Sequence, residues 1–177
     1  MSLLGHVAIG VATARLITPA GKPPRLLRAR MVVLATLAML PDIDFLFKAH
    51  APYVGPFAHR GASHSFATAI LVGAIIAVAI KLRGGRRAVV WGLLATAVVA
   101  SHGLLDWFGE SDLGVALLWP LSDARFLAPW HFLPNPSWPG LVSAHGLSVL
   151  ALELAVFLPF WLYAFLPRRL IVPRVQS

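Results

Sequence analysis

Five apolar runs constrain this chain more than any other feature: Leu3 to Ile17, Ala29 to Phe47, Ser65 to Leu82, Ala88 to Phe108 and Ala144 to Leu166. A helix needs roughly 20 apolar residues to cross a ~30 Å hydrocarbon layer, and all but the short first run come close to that length. Backbone in lipid must satisfy its own hydrogen bonds, so such runs read as helices. The expected fold is all-α: a polytopic membrane protein of about five transmembrane helices, at 3–17, 29–47, 65–82, 88–108 and 144–166. The 177 residues leave room for one domain, 1–177. Composition agrees, since 58% hydrophobic against 12% charged lies outside the usage of soluble domains. No Lys or Arg precedes Leu3, so the first run reads as a retained helix rather than a signal peptide.

The net charge of +8 is gathered into clusters between the runs, which is where topology signals belong, so nucleic acid is not the expected partner. One set of connections carries Lys22, Arg25, Arg28, Arg30, Lys81, Arg83, Arg86, Arg87, Arg168, Arg169 and Arg174, and the other only Lys48, Arg60 and Arg125. The positive-inside rule then puts the N-terminus outside and the C-terminus in the cytoplasm. Trp107, Trp119, Trp130 and Trp138 fall at the outer boundary, and Trp91 and Trp161 toward the inner one. The longest loop, Gly109 to Ser143, is rich in Pro and Trp. Its apolar stretch Leu113 to Leu121 is too short to span and is expected to lie in the interface or to re-enter. The loop from Leu113 to Pro136 reads equally as a lid or as interfacial padding.

On this topology all seven histidines fall on the outer side: His6, His50, His59, His64, His102, His131 and His145. Four helices deliver ligand-type residues to one depth: His6, then Asp42 and Asp44, then His59 and His64, then His102 and Asp106. Carboxylates and imidazoles near hydrocarbon are costly unless paired, ligated or hydrated. His102 and Asp106 are four apart on a helix and share a face, able to grip one ion or two adjacent ones. Pro41 is expected to loosen the helix end before Asp42 and Asp44. His59 and His64 flank a turn glycine, Gly61, with Ser63 or Ser65 as a cap for the next helix. Cysteine is absent, so any metal is held by nitrogen and oxygen. Zinc is favoured by the imidazole share, as one or two ions; manganese or iron suits the same set.

His6, the Pro-Asp-Ile-Asp of 41–44, the His-Arg-Gly-Ala-Ser-His-Ser of 59–65, the Ser-His-Gly-Leu-Leu-Asp of 101–106 and the Gly-Val-Ala-Leu-Leu-Trp-Pro of 114–120 together resemble the YdjM-type membrane-bound metal-dependent hydrolases. Ser63 stands where that family usually has Thr, which keeps a hydroxyl. The resemblance implies metal-dependent hydrolysis and, more distantly, a likeness to zinc-dependent phospholipase C and P1-type nuclease sites, where a His-x-x-x-Asp pair also binds zinc. Those enzymes add a His-x-x-x-Glu pair. Here His145 is followed four residues on by Val149, with Glu153 only at eight, so two metals are expected rather than three. The expected metal ligands are His6, Asp42, Asp44, His59, His64, His102 and Asp106, with Asp44 and Arg60 as catalytic residues. A water of lowered pKa would attack a phosphoester while Arg60 holds a phosphate oxygen. At headgroup depth the natural substrate is a membrane lipid.

Glu153 stands apart, two turns into the last helix, where an unpaired carboxylate is expected to be neutral or bonded. A metal-ion or proton transporter is the rival reading. It should show polar residues at the midplane of several helices, often in two repeated halves, and only Glu153 goes that deep. A catalytically silent membrane adaptor with a structural metal site would look the same in one dimension.

Overall fold

A computed structural model describes residues 3–47, 55–110, 113–131, 134 and 142–167. Lys48, His50, Trp138, Pro136, Arg168, Arg169 and Arg174 lie outside these residues. The described chain is helical: α1 Leu3–Leu16, α2 Pro24–Met39, α3 Phe66–Leu82, α4 Ala88–Trp107, α5 Ala144–Val156 and α6 Leu158–Phe165, with 3-10 turns at Leu40–Phe47 and Ala62–His64. An isolated bridge pairs Val115 with Phe126.

By length and hydropathy, α4 is able to cross a membrane alone, and α5 with α6 form a second candidate bent by 61°. Two other apolar helices are shorter, α1 with 14 residues and α3 with 17. At 1.5 Å per residue these reach ~21 and ~26 Å. The uninterrupted last helix expected over 144–166 is therefore corrected. Phe157 leaves helical geometry and Pro159 opens α6 at its first turn, where a missing amide hydrogen is harmless.

The second helix differs at both ends. It starts at Pro24 rather than Ala29, because Pro23-Pro24 presets the first turn and Arg25 and Arg28 stay exposed on it. At its other end Leu40 keeps helical angles (φ −58°, ψ −39°). Pro41 thus acts through its missing N–H, and the chain tightens into the 3-10 turn that carries Asp42 and Asp44.

Packing relies on small residues, as it must where lipid gives helices no hydrophobic drive to associate. α3 lies against α4 so closely that a Cβ at Gly73 would meet Thr96 Oγ1 and the Gly92 carbonyl at 2.0 and 2.5 Å. α1 runs along α2, and both meet α4 in a core of Val11, Ala14, Met31, Leu34, Ala38 and Val98. Arg15 closes the far end of α1 by donating to the Ala164 and Leu166 carbonyls at the end of α6. Ligand-bearing ends of α1 to α4 thus meet at one end of the bundle, and the basic ends at the other.

Candidate metal centre

The loop before α3 is shaped to aim side chains inward. Ser65 caps α3, accepting from the Thr68 amide at 3.1 Å, which leaves Ser63 free to donate to Asp44 Oδ2 at 2.9 Å. Arg60 takes a left-handed backbone (φ 61°), a conformation that costs a non-glycine residue about 1 kcal/mol or more. Such strain persists only where surrounding contacts fix it. Here the Arg60 amide donates to Asp44 Oδ2 at 3.2 Å and its carbonyl accepts from Ala116 at 3.0 Å.

The stretch Leu113 to Leu121 supplies that outer grip. Its middle, Val115 to Leu117, is buried, and Leu117 accepts from the Phe66 amide at 3.0 Å. Arg125 completes the clamp by donating to the His59, Gly114 and Gly55 carbonyls at 3.1, 3.3 and 3.2 Å. Val115 to Leu117 strap the His59–Ser65 loop to the bundle, while Leu118 and Leu121 stay exposed. Gly103 admits the loop, since a Cβ there would stand 2.4 Å from the His64 carbonyl.

Five of the predicted ligands converge. His64 Nε2 and His102 Nε2 are 3.1 Å apart. His64 Nε2 lies 3.5 Å from Asp42 Oδ1 and 3.2 Å from Asp106 Oδ2, and His102 Nε2 lies 3.4 and 3.7 Å from the same two atoms. A tetrahedral ion with bonds of about 2.0–2.2 Å has ligand–ligand edges of roughly 3.3–3.6 Å. The measured edges therefore bracket a metal site. Proton placement points the same way. His102 Nδ1 lies 2.7 Å from the Ala38 carbonyl and must donate to it. His64 Nδ1 meets Ser63 Oγ at 2.9 Å, whose own hydrogen goes to Asp44. Both Nε2 lone pairs then face each other and two carboxylate oxygens, an arrangement that only a cation or an added proton relieves. Burial alone would push His64 down, yet its contacts with Asp106 and Asp42 and the charge of Asp44 raise it to about 9. Positive charge is what this point demands.

His6 stacks on His102 with ring centroids 3.6 Å apart and planes 9° from parallel. Its Nε2 lies 3.4 Å from the second oxygen of Asp106. His6 Nε2, both oxygens of Asp42 and both of Asp106 are buried without a hydrogen-bond partner, the kind of orphan that an ion explains. Arg60 is 1% exposed, with Nε 3.3 Å from Asp106 Oδ2 and with Nη1 and Nη2 unpartnered.

Asp44 and His59 form a neighbouring group with His64 that is also able to hold an ion. Asp44, however, is already engaged by three donors: His59 Nδ1 at 2.9 Å, Ser63 and the Arg60 amide. Burial would raise its carboxyl, but the bond from His59 and the nearby imidazoles hold it below the usual carboxylate range. Asp44 Oδ2 also sits 3.4 Å from His64 Nδ1, behind the ring. A carboxylate in that position fixes the tautomer of a ligating histidine. Asp44→Ala is expected to keep the metal stoichiometry while weakening affinity about 10–100-fold, as outer partners of metal ligands do. Titration with a competing chelator measures this; a lost equivalent of metal would make Asp44 a ligand instead.

His131 and His145 are exposed and belong to neither group. Glu153 is fully buried, and Oε2 accepts from the Leu4 amide at 3.0 Å. It therefore caps the first turn of α1, where amides lack helical partners and negative charge is favoured. That turn carries His6. Glu153→Leu is expected to weaken metal binding roughly tenfold through His6, within the range for outer partners, while Glu153→Gln, still able to accept from Leu4, restores it. Equal affinity in all three proteins would separate Glu153 from the centre.

Sequence reasoning did not find the clamping role of Arg125, of the Ala38 carbonyl or of the strap. Backbone acceptors leave no mark in a sequence.

A family model described as YdjM inner membrane protein matches residues 1–172. The chain is also similar to Inner membrane protein YbcI of Escherichia coli (strain K12), 43% identical over 114 residues. That match covers 63% of this chain and 62% of the relative's length. No solved structure matches the chain.

Proposed function

The chain belongs to the YdjM inner membrane protein family, and from that premise we propose that it is a membrane-embedded, metal-dependent hydrolase cleaving a phosphoester of a lipid-borne substrate at the outer leaflet. The observation that carries this reading is the buried convergence of Asp42, His64, His102 and Asp106 beside an arginine whose two terminal nitrogens have no partner.

Asp42, His64, His102 and Asp106 would hold one divalent ion, zinc by its imidazole share. His6 Nε2 and the second oxygen of Asp106 are the remaining ligand atoms for another. His6 stacks on His102 with ring centroids 3.6 Å apart, so a second ion held there would lie beside the ligands of the first. Bound there, the ions supply Lewis acidity toward a phosphoryl oxygen and a water of lowered pKa. Arg60 presents Nη1 and Nη2 as a fork for two phosphoryl oxygens. Asp44 acts as a positioning carboxylate, because His59, Ser63 and the Arg60 amide already engage its two oxygens. The strap at 113–117 keeps water off the inner side of the site, so charge contacts there act in a low dielectric.

Placement at the outer leaflet rests on the Lys and Arg asymmetry between the two ends of the bundle. Five crossings are part of the same proposal, with α1 as a short span that leaves His6 near headgroup depth. The test is reconstitution in vesicles carrying phospholipids and isoprenoid phosphates. Release of phosphate or headgroup that is lost with a chelator and regained with Zn²⁺ or Mn²⁺ supports hydrolysis. Bound metal without turnover of any lipid phosphoester would leave a structural site, and no bound metal in folded protein would sink the reading altogether.

A further inference from the structure

The end of the bundle opposite the metal-binding residues contains a cavity of about 620 Å³ whose lining includes Lys22, Arg30, Arg87, Trp91, Ile17 and Leu94. It has no counterpart in the chemistry described above: Arg87 and His102 are separated by fifteen residues of α4, about 23 Å along its axis. Arg30 and Trp91 also line a second cavity of about 350 Å³, walled by Val33, Leu34, Leu37, Ile76, Ile80 and Ala95. The first is basic at its mouth, and the second is apolar and runs between α2, α3 and α4. Sharing Arg30 and Trp91, they join a basic mouth to an apolar groove, the polarity of a headgroup joined to a hydrocarbon chain.

Arg30 is built into the site, while Lys22 and Arg87 stand exposed at its mouth. Arg30 Nη1 donates to the Ile17 carbonyl at 2.9 Å and to Thr18 Oγ1 at 3.1 Å, and the guanidinium lies over the Trp91 ring at 5.2 Å. This fixes its plane at the junction of the two cavities. Arg87 holds a left-handed backbone (φ 62°) at the start of α4, whose first amides receive no side-chain cap. These amides add to the positive end of the longest helix. Among the described residues lining the cavity there is no carboxylate, and residues 1–41 and 45–105 contain neither Asp nor Glu. Basic pockets between membrane helices recognise anionic headgroups.

We propose that this pair of cavities is a binding site for an anionic phospholipid of the leaflet opposite the metal centre, with its phosphate on Lys22, Arg30 and Arg87 and one acyl chain in the groove between α2 and α3–α4. The site is independent of hydrolysis and stands whether or not the proposed activity does.

Native mass spectrometry of the full chain in detergent, with phosphatidylglycerol against phosphatidylcholine, tests it first. One retained phosphatidylglycerol and no retained phosphatidylcholine is expected. At about 1 kcal/mol per basic residue, Lys22→Gln combined with Arg87→Gln should weaken retention roughly 30-fold. Metal content should stay as in the wild type, because the centre lies at the other end. Phosphatidylglycerol brominated on its chains should quench Trp91 fluorescence, a signal lost in Trp91→Phe. Equal retention of the two lipids overturns the proposal, as does unchanged retention in the double variant. Full displacement by millimolar inorganic phosphate also overturns it, since a free anion would then be the ligand. The comparison of the two lipids and the quenching both use wild-type protein, so neither depends on a variant folding.

Discussion

Purified His102→Ala and Asp42→Ala proteins are expected to retain less than about a tenth of the wild-type metal by elemental mass spectrometry, because each loses one vertex of a four-ligand cage. Outer partners of metal ligands are each worth about 10–100-fold in affinity, and a ligand is worth more. The His102 ring is pinned by the Ala38 carbonyl at 2.7 Å, and the adjacent His6 Nε2 lies 3.4 Å from the other oxygen of Asp106. His102→Ala also leaves a void beneath the His6 ring, so His102→Gln and Asp42→Asn, which keep most of the volume, separate loss of metal from loss of fold. His6→Ala gives a graded result: were His6 and the second oxygen of Asp106 to hold a second ion, one equivalent would be lost and one would remain. Wild-type metal content in all these proteins would remove the cage from consideration.

The sequence already carried the chemistry of this centre, for reasons that differ from residue to residue. His102 and Asp106 were legible because helical spacing alone puts them on one face, and burial of both at 0 and 1% exposure follows from that geometry. Asp42 and Asp44 were legible as a pair but not in their separate roles. One residue apart on a 3-10 turn, they point to opposite sides of His64, Asp42 toward Nε2 and Asp44 toward Nδ1, and a pattern of letters does not distinguish the two. The stretch Leu113 to Leu121 was legible only in part. Val115 to Leu117 are buried against the His59–Ser65 loop while Leu118 and Leu121 stay exposed, and composition does not separate the two environments. The bend at Phe157 was written in Pro159, but a proline in the first turn of a new helix reads the same as one tolerated inside a long span. Glu153 was visible as an anomaly, and its partner was not, because that partner is the amide of Leu4.

Arg60→Lys is expected to lower kcat/KM for a lipid phosphoester by about 100-fold or more with little change in bound metal, and the reason lies in which nitrogens are engaged. Nε faces Asp106 Oδ2 at 3.3 Å, so one part of the guanidinium already compensates a buried carboxylate. Nη1 and Nη2 are buried and have no acceptor, and donors left in that state are costly unless a ligand takes them up. A lysine keeps one positive charge for Asp106 and so keeps the cage, but it offers a point charge where the guanidinium offers a planar fork. Two hydrogen bonds to a charged phosphoryl group, at about 1.5 kcal/mol or more each, account for the expected loss. Arg60→Gly separates the other contribution: it relieves the left-handed backbone at φ 61° while leaving Asp106 without its guanidinium. It should therefore weaken metal binding as well as turnover. Unchanged kcat/KM in metal-loaded Arg60→Lys would take the fork away from the substrate and leave Arg60 as the counter-charge of Asp106 alone.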